Sequence, residues 1–169
     1  IGKKTIFNLL GPHTNPCNAK RQILGVYDKG LLKTFGNVSN LLKMHHVLVV
    51  HGNDGLDEIS ITDKTFVTEL KDGNLNQFEI QPEDFGLSRA NITALKAETP
   101  EESLELINAA FEGKESPVQD MISLNAGASL YLSSASSSIK EGVSLAKELL
   151  NNGKAKQTFS SYIEMTNSL

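Results

Sequence analysis

The sequence predicts an α/β fold, in which a mixed, mainly parallel sheet contains a βαβ unit and hairpin strands and is packed by C-terminal helices. Three observations support this prediction. An apolar strand, an amphipathic helix and a second apolar strand follow one another between Ile23 and Val50, which is the βαβ order. An Asp-Gly turn then separates two short segments, as in a hairpin. Helical patterns fill most of the chain from Pro100 onward.

The βαβ unit begins with a predicted strand at residues 23–27. A helix is predicted over residues 31–43, where leucine, phenylalanine and valine recur at helical spacing and Asp28 precedes the first turn as an N-cap. The second strand is predicted at residues 46–50. At this spacing we expect a right-handed crossover that leaves the two strands parallel.

The remaining elements are shorter strands and then helices. Segments 59–61, 65–70 and 75–80 follow the βαβ unit, and Asp72-Gly73 between the last two predicts a hairpin. Thr99 and Pro100 are typical of a helix N-cap and first helical position. No Pro- or Gly-rich linker divides the chain, so we expect a single domain. Helices are predicted over residues 100–111, 117–132, 138–151 and 154–167.

Composition and charge exclude several classes of protein. The 169 residues suffice for one domain with a sizeable core. A net charge of -4 argues against a nucleic-acid partner, which requires a basic surface. No apolar run approaches the roughly 20 residues of a membrane helix, so no membrane association is expected. Cys17 is the single cysteine, which fits a reducing, cytoplasmic location.

A carboxylate-rich stretch follows the second strand. Residues 51–58 come directly after the apolar run 47–50 and carry Asp54, Asp57 and Glu58. Ligands of parallel sheets bind at the carboxyl ends of the strands, and Mg²⁺ prefers a few carboxylates together with waters and phosphates. The alternative is that this stretch is a turn and that Asp57 and Glu58 are simply solvated. Neighbouring side chains in an extended chain point to opposite faces, so the two carboxylates need not act together. Composition alone leaves both interpretations open.

Other polar residues are weaker candidates for a role in chemistry. His51 could be a base or a ligand, but a hydrogen-bonded structural role is favoured. Arg21 could bind a carboxylate or phosphate in two-pronged fashion, or form a surface salt bridge. Cys17 has no evident base partner, so by itself it indicates packing. The sequence contains no glycine-rich phosphate loop of either common kind.

Several motifs, taken together, resemble a known family. Each is unremarkable alone, but their order and spacing agree, and they span nearly the whole chain. Jointly they resemble anthranilate phosphoribosyltransferase. The motifs are KTIFNLLGPHTNP at 4–16, RQILGV at 21–26, VVHGNDGLDEIS at 49–60, PEDFGL at 82–87 and LNAGA at 124–128.

The resemblance implies a reaction and a set of site residues. Phosphoribose would pass from phosphoribosyl pyrophosphate to the amine of anthranilate, with pyrophosphate leaving, in tryptophan biosynthesis. Asp57 and Glu58 would hold the Mg²⁺ that bridges the pyrophosphate. Lys4 stands where the family has an arginine that contacts the anthranilate carboxylate, and a lysine lacks its planar geometry. Cys17 would line the anthranilate tunnel, and the full-length protein would be a homodimer.

The resemblance also implies an incomplete domain. The family's glycine-rich pyrophosphate loop and N-terminal helical domain precede the first motif seen here. We therefore expect residues 1–169 to be the C-terminal part of the catalytic α/β domain, and the isolated chain to be inactive or nearly so.

Three other functions stay open at this point. A nucleoside phosphorylase of the same fold would use phosphate as the nucleophile, but it needs no pyrophosphate-bound metal, so the Asp57–Glu58 pair favours the transferase. A non-enzymatic, transferase-like nucleic-acid-binding protein is disfavoured by the acidic charge. The chain could also be an assembly fragment without binding of its own.

Overall fold

Four strands form one mixed sheet in residues 10–168, the part of the chain described by the structure, a computed structural model. The strands lie in the order β1-β2-β3-β4. The described residues also contain five α-helices, and none of these has the length and apolarity needed to cross a membrane. The elements are β1 (Arg21–Gly25), α1 (Leu32–Leu41), β2 (His46–Gly52), β3 (Thr65–Lys71), β4 (Asn74–Ile80), α2 (Pro100–Phe111), α3 (Pro117–Leu132), α4 (Ile139–Asn151) and α5 (Lys154–Asn167).

The pairing of the strands confirms the mixed sheet and the βαβ unit. β1 and β2 are parallel, with α1 between them in the chain. β2 pairs with β3, and β3 with β4, in antiparallel fashion. Two of the three pairings in the described residues are therefore antiparallel, and the expected mainly parallel sheet is wrong for this part of the chain. The physical reason is that short connections, unlike helical crossovers, return the chain in the opposite direction.

The helices begin where side chains can satisfy free backbone N–H groups. Asp28 accepts a hydrogen bond from Gly30 N at 2.8 Å, which opens a short 3-10 turn, Lys29–Leu31, that leads into α1. Thr99 accepts from Glu102 N at 3.1 Å, and Pro100 occupies the first position of α2. Ser138 caps α4 through Glu141 N. The predicted cap at Thr99 is confirmed, and Asp28 is an N-cap of the 3-10 turn rather than of α1 itself.

β2 is the centre of two hydrophobic cores, one on each face of the sheet. Its four apolar residues, 47–50, are all 0% exposed, and successive side chains alternate between the faces. Val47 and Val49 pack with Phe35 of α1 on one side. Leu48 and Val50 pack on the other side with Leu124 of α3 and with neighbours from α4. Helices thus cover both faces of β2.

The segment 59–61 is not a strand. Ile59 and Ile61 are buried in the core on the α3 side, but the backbone here pairs with side chains. Ser60 N donates to Thr65 Oγ1 at 2.9 Å, and Ile59 pairs with the side chain of Asn125. The alternating Ile-Ser-Ile pattern therefore belongs to a loop whose two isoleucines are buried in the core.

α3 and α4 approach each other closely because glycines face the contact. A Cβ built on Gly127 would lie 2.7 Å from the Cα of Val143, and one built on Gly142 would overlap the carbonyl group of Gly127. Cβ atoms do not come this close to backbone atoms. The absence of a side chain at Gly127 therefore permits the close contact between α3 and α4.

We predict that Gly127→Ala lowers the free energy of unfolding by about 1–3 kcal/mol, as overpacking of a tight contact does. Because alanine has a higher helix propensity than glycine, the same substitution at an uncrowded helical glycine would raise the free energy of unfolding. Urea denaturation of both proteins measures the difference. Gly11→Ala is the control, since its added Cβ meets no atom of residues 10–168 within 4 Å. An unchanged or higher stability of Gly127→Ala would contradict the close packing of α3 on α4.

Candidate functional site

The loop between β2 and β3, residues 53–64, leaves the carboxyl end of β2. Its base is closed by Asn53 N, which donates to the carbonyl of Lys64 at 2.9 Å. Beside it, the parallel β1 also ends, and Val26 N continues the ladder to the carbonyl of Val50 at 3.0 Å. His51 Nδ1 lies 2.7 Å from the carbonyl oxygen of Val26. The carbonyl only accepts, so Nδ1 carries the proton, and this bond gives His51 the structural role favoured from the sequence.

The loop carries four carboxylates, and the structure separates them into two pairs. The first pair, Asp54 and Asp63, accepts hydrogen bonds from several donors. Asp54 accepts from Leu56 N at 3.1 Å and from the hydroxyls of Ser60 and Thr62. Partial burial would raise the pKa of Asp54, but these hydrogen bonds outweigh it and the pKa lies below its usual value. Asp54 thus organises the turn, and its oxygens are already engaged.

Asp63 is likewise engaged. It accepts from Asn53 Nδ2 at 2.7 Å and from Arg89 Nη1 at 2.9 Å, and Arg89 also pairs with Glu83 at 2.8 Å. The hydrogen bond from Asn53 and the neighbouring positive charge lower the pKa of Asp63. This exposed network tethers the end of the loop to the segment after β4, and it leaves no reason to place a cation at Asp63.

Asp57 and Glu58 form the second pair, and it differs from the first. Both are exposed, and among residues 10–168 no side chain or backbone group donates a hydrogen bond to either carboxylate. Partial burial and then the adjacent charge of Asp57 raise the pKa of Glu58. Two adjacent like charges without a compensating donor are unfavourable. A bound cation would remove that cost.

One side-chain amide holds the backbone directly after this pair. Ile59 N donates to Asn125 Oδ1 at 3.0 Å, and Asn125 Nδ2 donates back to the carbonyl of Ile59 at 2.9 Å. Asn125 Nδ2 also lies 3.1 Å from the carbonyl of Met121, one turn earlier in α3. The Asn125 carboxamide therefore satisfies both backbone groups of Ile59, as a neighbouring strand would.

The end of β1 holds the backbone from the other side. A Cβ built on Gly25 would lie 2.7 Å from the carbonyl carbon of Asp57 and closer still to its oxygen. The absence of a side chain at Gly25 therefore permits the loop to rest on β1. Gly52 N donates to the carbonyl of Leu56 at 2.7 Å, which fixes the chain just before Asp57.

The donor set fits a hard cation that is shared with a ligand. No group of three or more His, Cys, Asp or Glu residues within the described part of the chain could hold a metal ion, so a closed protein cage is excluded there. Mg²⁺ commonly binds through one or two carboxylates and takes its other ligands from waters and substrate phosphates. Asp57 and Glu58 supply that number of carboxylates on an open surface.

The other predicted site residues lie elsewhere. Lys4 is outside the described residues. Cys17 is a free, exposed cysteine in the segment before the amino end of β1, and its N–H donates to Asn15 Oδ1 at 2.8 Å. No described contact joins it to the loop 53–64. Its place in an anthranilate tunnel stays a prediction.

Arg21 has a structural role that neither alternative anticipated. Its Nη1 donates to the carbonyl of Leu132 at 2.5 Å and to Ser134 Oγ at 3.0 Å. A cation at the C-terminus of a helix satisfies its free carbonyls and its dipole. Arg21 therefore caps α3 and is not part of the candidate site.

Gly25 and Asn125 are the residues supporting the candidate site that sequence reasoning missed. Both lie in motifs that carry the family resemblance, RQILGV and LNAGA, but nothing local gives them a role. Their partners are far away in the chain, since Asn125 and Ile59 are 66 positions apart. A glycine inside a predicted strand was the only available signal, because it suggests close backbone approach.

Comparison with known proteins identifies relatives that match nearly the whole chain. The curated anthranilate phosphoribosyltransferase of Hydrogenovibrio crunogenus is 44% identical over 168 residues, which cover 99% of this chain and 49% of that protein. The anthranilate phosphoribosyltransferase of Methanobrevibacter smithii is 44% identical over 165 residues, which cover 98% of this chain and 49% of that protein. The chain thus spans about half the length of the curated relatives it matches. The resemblance to anthranilate phosphoribosyltransferase is confirmed, and neither a phosphorylase nor a nucleic-acid-binding protein is favoured.

Solved structures are similar over nearly the whole chain. Anthranilate phosphoribosyltransferase from Thermus thermophilus superposes with a TM-score of 0.88 at 37% identity, covering 96% of this chain and 48% of that one. The Saccharomyces cerevisiae enzyme in complex with PRPP and Mg has a TM-score of 0.87 at 30% identity, and the match covers 99% of this chain and 49% of that one. These matches confirm the α/β fold class. The model of the glycosyl transferase family, a/b domain, matches residues 1–156, and the chain therefore belongs to this glycosyl transferase family.

Proposed function

We propose that this chain forms part of an Mg²⁺-dependent anthranilate phosphoribosyltransferase, in which Asp57 and Glu58 are the metal ligands. The observation that carries the proposal is the contrast within the loop 53–64. Asp54 and Asp63 are saturated with donors, whereas Asp57 and Glu58 have no donor in the described residues. The similarity to a yeast enzyme solved with PRPP and Mg supports the same assignment.

The substrates follow from the same similarity. Phosphoribosyl pyrophosphate carries the phosphates that would complete the coordination of a metal held by two carboxylates. The metal, when bound, supplies positive charge that stabilises the leaving pyrophosphate. Asp57 and Glu58 hold and orient that charge at the carboxyl edge of the sheet, where the backbone is already fixed and needs no rearrangement.

The acceptor substrate would be anthranilate, recognised in part by Lys4 and Cys17. A lysine ammonium attracts the anthranilate carboxylate as a point charge, without the two parallel hydrogen bonds of an arginine. Cys17 would contribute a small apolar wall.

We further propose that residues 1–169 are the C-terminal part of the catalytic α/β domain, and that the chain alone turns over little substrate. The chain contains no glycine-rich phosphate loop, so the group that cradles the phosphates would lie outside it. A cytoplasmic location and a homodimer of the full-length protein stay predictions.

We predict that Asp57→Asn together with Glu58→Gln abolishes Mg²⁺-dependent turnover in the full-length protein while the fold persists. Loss of charge stabilisation of this kind reduces kcat by roughly 10²-fold or more. Consumption of anthranilate measures turnover, and urea denaturation measures stability.

The matched control for this pair is Glu101→Gln with Glu102→Gln, another adjacent pair of exposed carboxylates, in the first turn of α2. That control removes the same charge but should leave turnover within about twofold, because exposed charges at a distance are screened. Equal activity of the Asp57/Glu58 double variant and the original protein would disprove the metal assignment.

We predict that Lys4→Arg in the full-length protein lowers the KM for anthranilate. Arginine restores the planar, two-pronged geometry that suits a carboxylate, and a charge-assisted hydrogen bond of this kind contributes about 1.5–3 kcal/mol. Steady-state kinetics with anthranilate as the varied substrate measure the effect, and Lys3→Arg is the neighbouring control. An unchanged or higher KM in Lys4→Arg would show that Lys4 does not face the substrate carboxylate.

A further inference from the structure

We propose that Asn125, a residue of α3 with no role in the chemistry itself, is the positioning residue of the Asp57–Glu58 pair, with Gly25 as its counterpart on β1. This inference rests on the proposed metal-binding function of that pair. It names the interaction that sets where the two carboxylates point.

The reasoning starts from the planarity of the peptide unit. A carbonyl and the N–H of the following residue lie in one plane, so whatever holds one of them orients the other. Ile59 N is held by Asn125 Oδ1 at 3.0 Å. The peptide plane between Glu58 and Ile59 is therefore fixed by a side chain of α3.

The preceding plane is held by a different element, β1. The carbonyl of Asp57 lies against the Cα of Gly25 so closely that no Cβ could be accommodated there. This carbonyl belongs to the plane between Asp57 and Glu58. With the planes on both sides held, the φ and ψ of Glu58 have little freedom, and its Cα–Cβ direction is set.

Asp57 is held in the same way. The carbonyl of Leu56 accepts from Gly52 N at 2.7 Å, which fixes the plane before Asp57, and Gly25 fixes the plane after it. Three consecutive peptide planes are thus restrained by three separate contacts. The two carboxylates leave a backbone that is ordered before any cation arrives.

Asn125 is suited to this role by its own restraints. Its Nδ2 also lies 3.1 Å from the carbonyl of Met121, which locks the side chain onto α3. Its neighbour Leu124 is 0% exposed, and so is Ala128; both pack with Ile59 in one core. The carboxamide is therefore presented by a rigid helix rather than by a second loop, and pre-organised groups of this kind support metal ligands.

The test compares variants of Asn125 with a matched control in the full-length protein, using Mn²⁺ as the probe. Asn125→Leu keeps the branched shape of the side chain but removes both hydrogen bonds to Ile59. Asn125→Ala leaves room for water, so it gives a second variant if the leucine protein does not fold. The control is Gln119→Leu, at a buried polar residue of α3 whose amide donates to Asn151 Oδ1 at 3.1 Å and has no described contact with the loop.

Three quantities are measured for each protein: the free energy of unfolding, the hydrogen exchange of Ile59 N–H, and the Mn²⁺ dissociation constant. We expect both Asn125 variants to lose protection of Ile59 N–H. Loss of a supporting partner of this kind weakens metal binding by about 10–100-fold, and we expect Asn125→Leu to fall in that range. Gln119→Leu should lose stability while keeping its Mn²⁺ affinity, which separates positioning from general destabilisation.

Gly25→Ala tests the contact between β1 and the carbonyl of Asp57 independently. It leaves the Asn125 hydrogen bonds chemically intact but displaces the carbonyl of Asp57. We expect Mn²⁺ binding about tenfold weaker, within the range for supporting groups.

The outcomes separate the positioning role from the proposed function. The double variant Asp57→Asn with Glu58→Gln is the reference, because it shows the Mn²⁺ affinity that remains when both proposed ligands are removed. If that reference loses Mn²⁺ affinity while both Asn125 variants bind as tightly as the original protein, the positioning role is wrong and the metal site stands. If the reference itself binds Mn²⁺ normally, the metal assignment fails, and the positioning role fails with it.

Discussion

The burial of β2 on both faces is the constraint on which the rest of the structure depends. All four side chains of residues 47–50 are 0% exposed, and each contributes about 1.5–3 kcal/mol by leaving water. Such a strand requires a layer of helices on either side, which α1 and α3 supply. The covered region ends at Gly52, and the chain must become polar there. The candidate site lies at that boundary between core and solvent.

The loop after β2 then assigns different roles to similar residues. Asp54 and Asp63 receive donors and tie the loop to itself and to its neighbours. Asp57 and Glu58 receive none among the described residues, although their backbone is held by the ends of β1 and β2 and by α3. Under the proposed function, a cation shared with a pyrophosphate would bind here, where the backbone is ordered and the two charges are uncompensated.

Local patterns were sufficient to predict much of the fold. Asp28, Thr99 and Ser138 are caps whose partners lie within three residues, and the hairpin turn at residues 71–74 depends on Asp-Gly alone. The prediction of a mainly parallel sheet failed because strand direction depends on the connection and not on the strand. The segment 59–61 has the alternation of a strand, but its backbone partner is a side chain from a distant helix.

The long-range contacts of the site could not be predicted in the same way. Asn125 and Ile59 are 66 positions apart, and Arg21 caps a carbonyl 111 positions away. Nothing in the neighbourhood of an asparagine on a helix indicates which backbone it will hold. The Asp57–Glu58 pair was identifiable only because surrounding motifs resemble a family, since composition alone left the alternative of a solvated turn open.

Locating the ion directly is the most decisive measurement. Crystals of the full-length protein grown with Mn²⁺ and pyrophosphate would show the metal by its anomalous scattering. We expect a peak within coordinating distance, about 2–2.5 Å, of carboxylate oxygens from both Asp57 and Glu58, with pyrophosphate oxygens completing its shell. A metal bound to pyrophosphate with neither carboxylate as a ligand, or a peak at another part of the chain, would contradict the assignment of this loop.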